Sequence, residues 1–417
     1  MSSVEPESKM GQHSQFLNNS KPDMGQHAKP LIDPKSDVGW QSRFQKSIGI
    51  NPDRYILSNP GDIIVAEQLH CYPKAEKKFP TWHRPGMVYT RLALEQSSGE
   101  IAAQFKSGLM KGIEIWDLTG GLGMDAYAFS QTFESVHYCD PAIQAFTLAA
   151  HNHDVLGAKN IRHHLKDAAS AIESLYHTDW IYLDPSRRDE SGRKFLLKDC
   201  EPDVLSLLDE MKRKASGIMI KLSPMYDLNQ LLSEIPSINH IYVVSVSGEV
   251  REILVLIDDT SSSTQVTAVI LPDGIAYTST FPVITQSVAT QHGSLPEKGY
   301  LHVADVSIFK AGLTHQIIGA HQGQIFGSGG YFISTNQTIP GCKSYALVEE
   351  AEYKPKELRR RIKNLRVNIH KRNFSIEVSD LYKALGTAMG DDLHLFFTQM
   401  NNGKKMVAIC EPPVSQA

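Results

Sequence analysis

With 417 residues the chain is too long for one ordinary core, so two or three domains are expected. Charged residues make up 21% of it and the formal net charge is −4, the balance of a soluble globular protein rather than of a disordered or polycationic one. No apolar run approaches the roughly 20 residues that cross a bilayer, and the first residues lack the basic and apolar regions of a secretory signal.

Residues 1–40 are rich in Ser, Pro, Asn, Gln, His and Lys, without apolar periodicity, and read as a disordered leader. The Met-Gly-Gln-His repeat within it (Met10 to His13, Met24 to His27) offers spaced histidines without Cys or carboxylate partners, so no metal is expected there. Residues 41–110 form a helical or irregular segment. Asn59-Pro-Gly61 marks a turn, and residues 63–69 are a short apolar element. Residues 77–82 mix Lys77 and Lys78 with Phe79 and Trp82, either a nucleic-acid contact or an aromatic anchor. A helix is expected to start near Ser98, with Ile101, Ala102 and Phe105 on one face. The five cysteines (Cys71, Cys139, Cys200, Cys342, Cys410) are odd in number and contain no C-x-x-C, which argues against disulfides or a zinc ribbon and fits a reducing cytoplasm.

Residues 111–260 alternate strand and helix. A short apolar strand ends on Asp117 and is followed by Gly120, Gly121, Gly123 and an apolar helix-competent run, the βα unit that places backbone N–H groups beside a ligand. Four more strands follow, over 135–139, 160–165, 180–183 and 217–221; Asp140, Asp167 and Asp184 stand just after the first three of these. Residues 241–246 and 253–257 make a hairpin around Gly248. This pattern predicts an α/β fold: a parallel sheet covered by helices on both faces, closed by one antiparallel strand. Residues 261–264 look like a linker, with short strands and Gly-rich turns up to 340. Over 341–417 a last α/β unit is expected, with strands at 345–348, 374–378, 393–398 and 406–409 and a basic helix between the first two.

The expected ligand edge is the C-terminal edge of the parallel strands. The turn satisfies G-x-G-x-x-G/A, so NAD and S-adenosylmethionine compete. Asp140 would serve the ribose of either. Asp117 sits too near a dinucleotide pyrophosphate but suits the cationic amino group of a methionyl moiety; Asp167 would accept from the adenine amine, and Asp184-Pro-Ser would stiffen the loop that presents a methyl acceptor. Singly, each Asp is a helix cap or turn residue. Together in successive loops they favour S-adenosylmethionine.

These residues resemble those of class I S-adenosylmethionine-dependent methyltransferases. More closely, Leu94-Glu-Gln-Ser-Ser-Gly-Glu100, Asp117-Leu-Thr-Gly-Gly-Leu-Gly-Met-Asp125, Asp184-Pro-Ser-Arg-Arg-Asp189 and Lys221-Leu-Ser-Pro224 are similar to motifs of a Bacteroidetes-type bacterial family. In that family a seven-stranded Rossmann-like methyltransferase domain precedes a ferredoxin-like segment, here 261–340, and a THUMP-like domain, here 341–417. The resemblance implies that Gln96, Ser97, Asp117, Thr119, Gly120, Gly121, Gly123, Asp140 and Asp167 hold the cofactor. It further implies RNA as substrate, because THUMP domains accompany RNA-modifying enzymes.

Asp184-Pro-Ser-Arg departs from the Asn/Asp-Pro-Pro-aromatic loop of amino-methylating enzymes, with Ser186 and Arg187 at the last two places. Arg187 could stack on a flipped base or pair with phosphate, or form a structural ion pair. The strand-five loop carries no Cys, which disfavours covalent pyrimidine methylation. Asp184 is expected to position a nitrogen and take up its proton. Finally, Lys354, Lys356, Arg359, Arg360, Lys363 and Arg366 concentrate positive charge in an otherwise acidic chain, either as a solvated helix face or as a phosphate-binding stripe. The expectation is thus a cytoplasmic methyltransferase acting on a base in tRNA or rRNA. The rivals are an enzyme for a small molecule or protein, and a non-catalytic RNA-binding protein that retains the cofactor.

Overall fold

The computed structural model describes residues 30–187, 196–258, 262–283, 299–327 and 329–414. Five helices come first: α1 (Trp40–Ser47), α2 (Pro52–Ser58), α3 (Ile63–Lys78), α4 (Arg91–Gln96) and α5 (Glu100–Leu109). The Asn51 side chain caps α2 by accepting from the N–H groups of Asp53 and Arg54, with Pro52 at the first helical position. The short apolar element expected at 63–69 is the first half of a 16-residue helix, because burial recurs at Ile64, Val65, Gln68, Cys71 and Ala75. Phe79 and Trp82 are buried, Trp82 edge-on to Tyr127 at 5.1 Å, so this segment is an aromatic anchor. Most of the expected leader lies outside the described residues. Its end is packed, with Ile32 buried and its backbone N–H and C=O both bonded at 2.9 Å to the amide of Gln144.

The first sheet contains β1 (Glu114–Asp117), β2 (Ser135–Cys139), β3 (Ile161–His164), β4 (Thr178–Leu183), β5 (Ala215–Leu222), β6 (His240–Val246), β7 (Glu249–Ile257), β8 (Gln265–Leu271) and β9 (Ile275–Thr280). Their order is β9-β8-β6-β7-β5-β4-β1-β2-β3. Strands β1 to β5 run parallel, and β7 is antiparallel to both β5 and β6. The β6–β7 turn places Ser247 and Gly248 at φ 54° and 79°, as the expected hairpin requires. Helices α6 (Met124–Ser130), α7 (Ile143–Leu156), α8 (Ala168–Ser174), α9 (Val204–Lys214) and α10 (Leu228–Glu234) occupy the connections. Neighbouring residues of β1, Ile115 and Trp116, enter different core clusters, so the sheet is buried on both faces.

The second sheet comprises β10 (Tyr300–Ala304), β11 (Gln324–Phe326), β12 (Tyr331–Ser334), β13 (Cys342–Glu352), β14 (Val367–Lys371), β15 (Leu393–Gln399) and β16 (Lys405–Pro413), in the order β11-β12-β10-β13-β16-β15-β14. Helices α11 (Val306–Lys310), α12 (Thr314–Ala320), α13 (Pro355–Arg361) and α14 (Val378–Leu385) accompany it.

Two expectations change here. The stretch 261–340 is not one ferredoxin-like unit: β8 and β9 extend the first sheet, making nine strands rather than seven, while β10, β11 and β12 join the second. After Gln265 every residue of β8 is buried, so that strand needs cover on both faces and finds it beside β6 and under α11. The strand expected at 374–378 lies earlier, at Val367–Lys371, whose alternating apolar positions pair with β15. Phe374 instead fills the core from a loop, against Tyr353 and Phe397, and α14 begins at Val378.

Candidate active site

The turn after β1 lies at the C-terminal edge of the parallel strands. Gly121 and Gly123 take φ of 52° and 83°, which glycine adopts without strain. Gly120 has no room for a Cβ, which would overlap the Tyr138 ring, and a Cβ at Gly123 would stand 2.6 Å from His153 Nε2. The turn is held from β2 and α7: Gly120 N–H donates to Cys139 O (2.9 Å), Gly121 N–H to Asp140 Oδ2 (2.9 Å), and Tyr138 OH to Gly121 O (2.7 Å). His153 Nε2–H donates to Gly123 O at 2.8 Å, so its Nδ1 accepts from His163 Nε2–H, also at 2.8 Å. Burial brings the His153 imidazole down to about 4, so it is neutral at neutral pH.

Asp117, at the end of β1, is 1% exposed. Its Oδ1 accepts the Thr119 N–H at 3.1 Å, and its Oδ2 has no hydrogen-bond partner among the described residues. Burial first, then the neighbouring carboxylate of Asp125, lift its pKa well above the ordinary carboxylate value. This buried, unpaired oxygen beside a turn too tight for side chains is what a cationic ligand group would complete, so these residues fit the expected cofactor.

Asp140 gives both carboxylate oxygens to backbone N–H groups, of Gly121 and of Ala142, and burial raises its pKa. It braces the glycine turn, whatever else it holds. Asp167 caps α8 by accepting from Ser170 N–H at 2.7 Å. The hydroxyl of Thr119 accepts the backbone N–H of Asp184 at 2.6 Å. Asp184 is ion-paired through Oδ2 with Lys221, which ends up just before the last residue of β5. Although burial opposes it, the carboxylates of Asp184, Asp125 and Glu252 hold the Lys221 ammonium above its ordinary value. Ser186 is exposed, on a two-residue strand paired with Cys200–Glu201; the side chain of Arg187 lies outside the described structure. Gln96 is exposed at the end of α4, and Ser97 caps that helix, its hydroxyl donating to Leu94 O.

The structure also assembles a group that the sequence reading did not single out. Lys106 of α5, fully buried, is ion-paired with Glu252 (2.9 Å) and Asp125 (3.2 Å) and donates to Ser98 Oγ (2.9 Å). The hydroxyls of Ser98 and Tyr182 donate to Asp125 Oδ2 at 2.8 and 2.9 Å. Lys106 and Glu252 are 146 positions apart, so no local pattern links them. Lys78 Nζ donates to the carbonyls of Leu94 and Glu95, and burial followed by the charges of Lys221 and Arg251 brings its ammonium down to about 8. For Lys106 the one signal available was a Lys on the face of α5 that Ala102 and Ala103 share; Lys78, among the charged residues that end α3, gave none.

In and around helix α13, Lys354, Lys356, Arg359, Arg360, Lys363 and Arg366 are all exposed. They do not form one uninterrupted helical stripe. Helix α13 ends at Arg361, which pairs with Glu349, and Arg366 turns back so that its Nε donates to Met389 O at 3.1 Å.

Residues 342–412 match the family described as THUMP domain-like. Over 167 residues the chain is 25% identical to S-adenosylmethionine-dependent methyltransferases, described as uncharacterized, from two strains of Mycobacterium tuberculosis; the match spans 40% of this chain and 44% of each relative. The chain therefore spans less than half the length of the curated relatives it matches. A provisionally assigned methyltransferase of Porphyromonas gingivalis W83, known from its crystal structure, is 25% identical, with a TM-score of 0.78 over 92% of this chain and 99% of that one. With strands β1 to β7 arranged as the class I fold requires and relatives of that name, the chain is similar to S-adenosylmethionine-dependent methyltransferases, and its residues 342–412 are a THUMP-like domain.

Proposed function

We propose that this protein is an S-adenosylmethionine-dependent methyltransferase that methylates a base nitrogen in structured RNA, a tRNA or an rRNA. The observation that carries the cofactor half is the buried, unpartnered Oδ2 of Asp117 at the glycine turn. When bound, S-adenosylmethionine supplies a methyl group already activated by its sulfonium. The residues that would hold it are Asp117, the backbone of Thr119 to Gly123, Asp140 and Asp167, with Gln96 and Ser97 on the preceding turn.

Asp184 has the chemistry to receive the acceptor nitrogen. Lys221 occupies its Oδ2, which leaves Oδ1 to accept an N–H of an exocyclic amine. A nitrogen that has gained a methyl group is a strong acid, so an ion-paired carboxylate is base enough to take its proton. Orientation then supplies most of the rate. Ser186 and Arg187 follow directly in sequence and complete the proposed acceptor loop. The RNA half of the reading is supported by the exposed basic residues Lys354, Lys356, Arg359, Arg360, Lys363 and Arg366 on the THUMP-like domain, which suit phosphate contacts.

The test is transfer of labelled methyl from S-adenosylmethionine to total RNA of a strain lacking the gene, using wild type and Asp184→Ala. Label in RNA with wild type alone is expected. Label in protein or small molecules instead would overturn the RNA reading, and cofactor binding without any transfer would point to a binding protein.

A further inference from the structure

Around the proposed cofactor site the carboxylates are unequally provided for. Asp125, on α6, has Lys106, Ser98 OH and Tyr182 OH. Glu252, on β7, has both oxygens on Lys106 Nζ, at 3.1 and 2.9 Å. Asp184, after β4, has Lys221 from β5, and Asp140, after β2, has two backbone N–H groups. Among the described residues, Asp117 alone of these five is left with a single backbone N–H and one oxygen that has neither a hydrogen-bond nor an ion-pair partner, while its side chain is almost wholly buried. The other titratable groups among the described residues that face it, Tyr138 and Cys139 of β2 and Tyr182 of β4, are buried and neutral, so none of these supplies a positive charge.

A buried carboxyl without a counter-charge is stable only in its neutral form. We propose that Asp117 releases a proton to solvent when it receives the methionyl ammonium, so that loading of the site is proton-linked, and that Lys106 is the positioning residue that keeps Asp125 and Glu252 out of this exchange. The balance is simple: a neutral carboxyl and a free ammonium become a carboxylate–ammonium pair plus one proton in solution. The inference rests on the cofactor reading given above.

The experiment is isothermal titration of the whole chain with S-adenosylmethionine over a range of about pH 5 to 8, at each pH in two buffers that titrate there and differ in ionisation heat (acetate and MES at the acid end, phosphate and Tris at about pH 7.5). The buffer dependence of the heat counts protons. On the order of one proton released is expected for wild type, with S-adenosylhomocysteine as well, since it keeps the ammonium and lacks the sulfonium. None is expected with 5′-methylthioadenosine, which lacks the amino-acid part. Asp117→Asn, which keeps shape and removes the titration, should bind more weakly and without buffer dependence. Below the pKa of Asp117 in the empty site, wild-type affinity should rise up to about tenfold per pH unit.

Buffer-independent heats throughout with wild type would overturn the linkage and leave the cofactor reading intact. Failure to bind S-adenosylmethionine at all would overturn both. For Lys106, the Met variant should release more protons than wild type and the Arg variant about the same number; an unchanged count in folded Lys106→Met would remove its assigned role.

Discussion

The backbone N–H of Asp184 donates to the hydroxyl of Thr119 across 2.6 Å, so the loop that would present the methyl acceptor is tied directly to the turn that would hold the cofactor. The neighbouring bond from Thr119 N–H to Asp117 continues the link to the end of β1. Two strand ends, β1 and β4, are adjacent and parallel in the sheet, and this hydroxyl, with the Leu118 N–H that donates to Tyr182 O at 3.0 Å, ties their loops together.

Thr119→Val should therefore act on geometry more than on folding. Cofactor affinity should fall modestly, while kcat should fall by about tenfold to a hundredfold, the scale on which slight misplacement of reacting groups costs rate. Single-turnover methyl transfer alongside a binding titration separates the two effects. A Val variant with unchanged kcat would mean that the tie does not align the two loops.

Asp117 makes a pH prediction for the cofactor-free protein. Its pKa is raised in the fold by burial and by Asp125, so between the unfolded and folded values the native state holds a proton that the unfolded chain has lost. Stability then falls as pH rises through that window. Asp140 and Glu252 are shifted the same way, so the informative quantity is the difference between wild type and Asp117→Asn. Denaturant unfolding should show the variant gaining on wild type as pH rises from about 4 toward neutrality. A difference that does not change with pH would show that Asp117 is not held neutral.

Lys106 has no exposed surface and serves two buried carboxylates. Lys106→Met leaves Asp125 and Glu252 without their common cation, and breaking a buried ion pair on one side costs about 3–5 kcal/mol. The urea midpoint should drop accordingly. Lys106→Met combined with Glu252→Met should recover part of the loss, because one of the stranded charges is then gone.

Gly123 needs both its left-handed φ of 83° and the absence of a side chain, since a Cβ there would press on His153. Gly123→Ala should destabilise the protein by about 1–3 kcal/mol and weaken cofactor binding more than an equal loss elsewhere would. Thermal unfolding with and without S-adenosylmethionine reads both.

On the THUMP-like domain, replacing Lys356, Arg360 and Lys363 together by Ala should weaken RNA binding across sequences rather than at one site. The slope of log affinity against log salt should become shallower by about 2 to 3, since each phosphate contact contributes roughly 0.7 to 0.9. An unchanged slope would place the RNA contact on another face.

What the sequence determined by itself was local. An apolar run, a carboxylate, close glycines and a helix-competent stretch specify a strand–turn–helix wherever they occur, because glycine backbones and side-chain periodicity act over a few residues. The same holds for the Asp residues after β2, β3 and β4 and for the hairpin at Gly248. Pairing between distant segments was not written in any short pattern. Residues 265–280 read as the start of a separate unit, yet 265–271 hydrogen-bond to β6 and 275–280 to β8, because a strand buried along almost its whole length requires cover on both faces. The alternating Phe374-Ser-Ile-Glu-Val378 read as the strand, whereas Val367-Asn-Ile-His-Lys371, obscured by its basic neighbours, forms it; the pairing with β15 decided the place. Charge was decided at the same level. A lysine on α5 says nothing about where its ammonium goes until folding places Asp125 and Glu252 around it, and an aspartate at a strand end is an ordinary turn residue until burial removes water and leaves one oxygen of Asp117 without a partner.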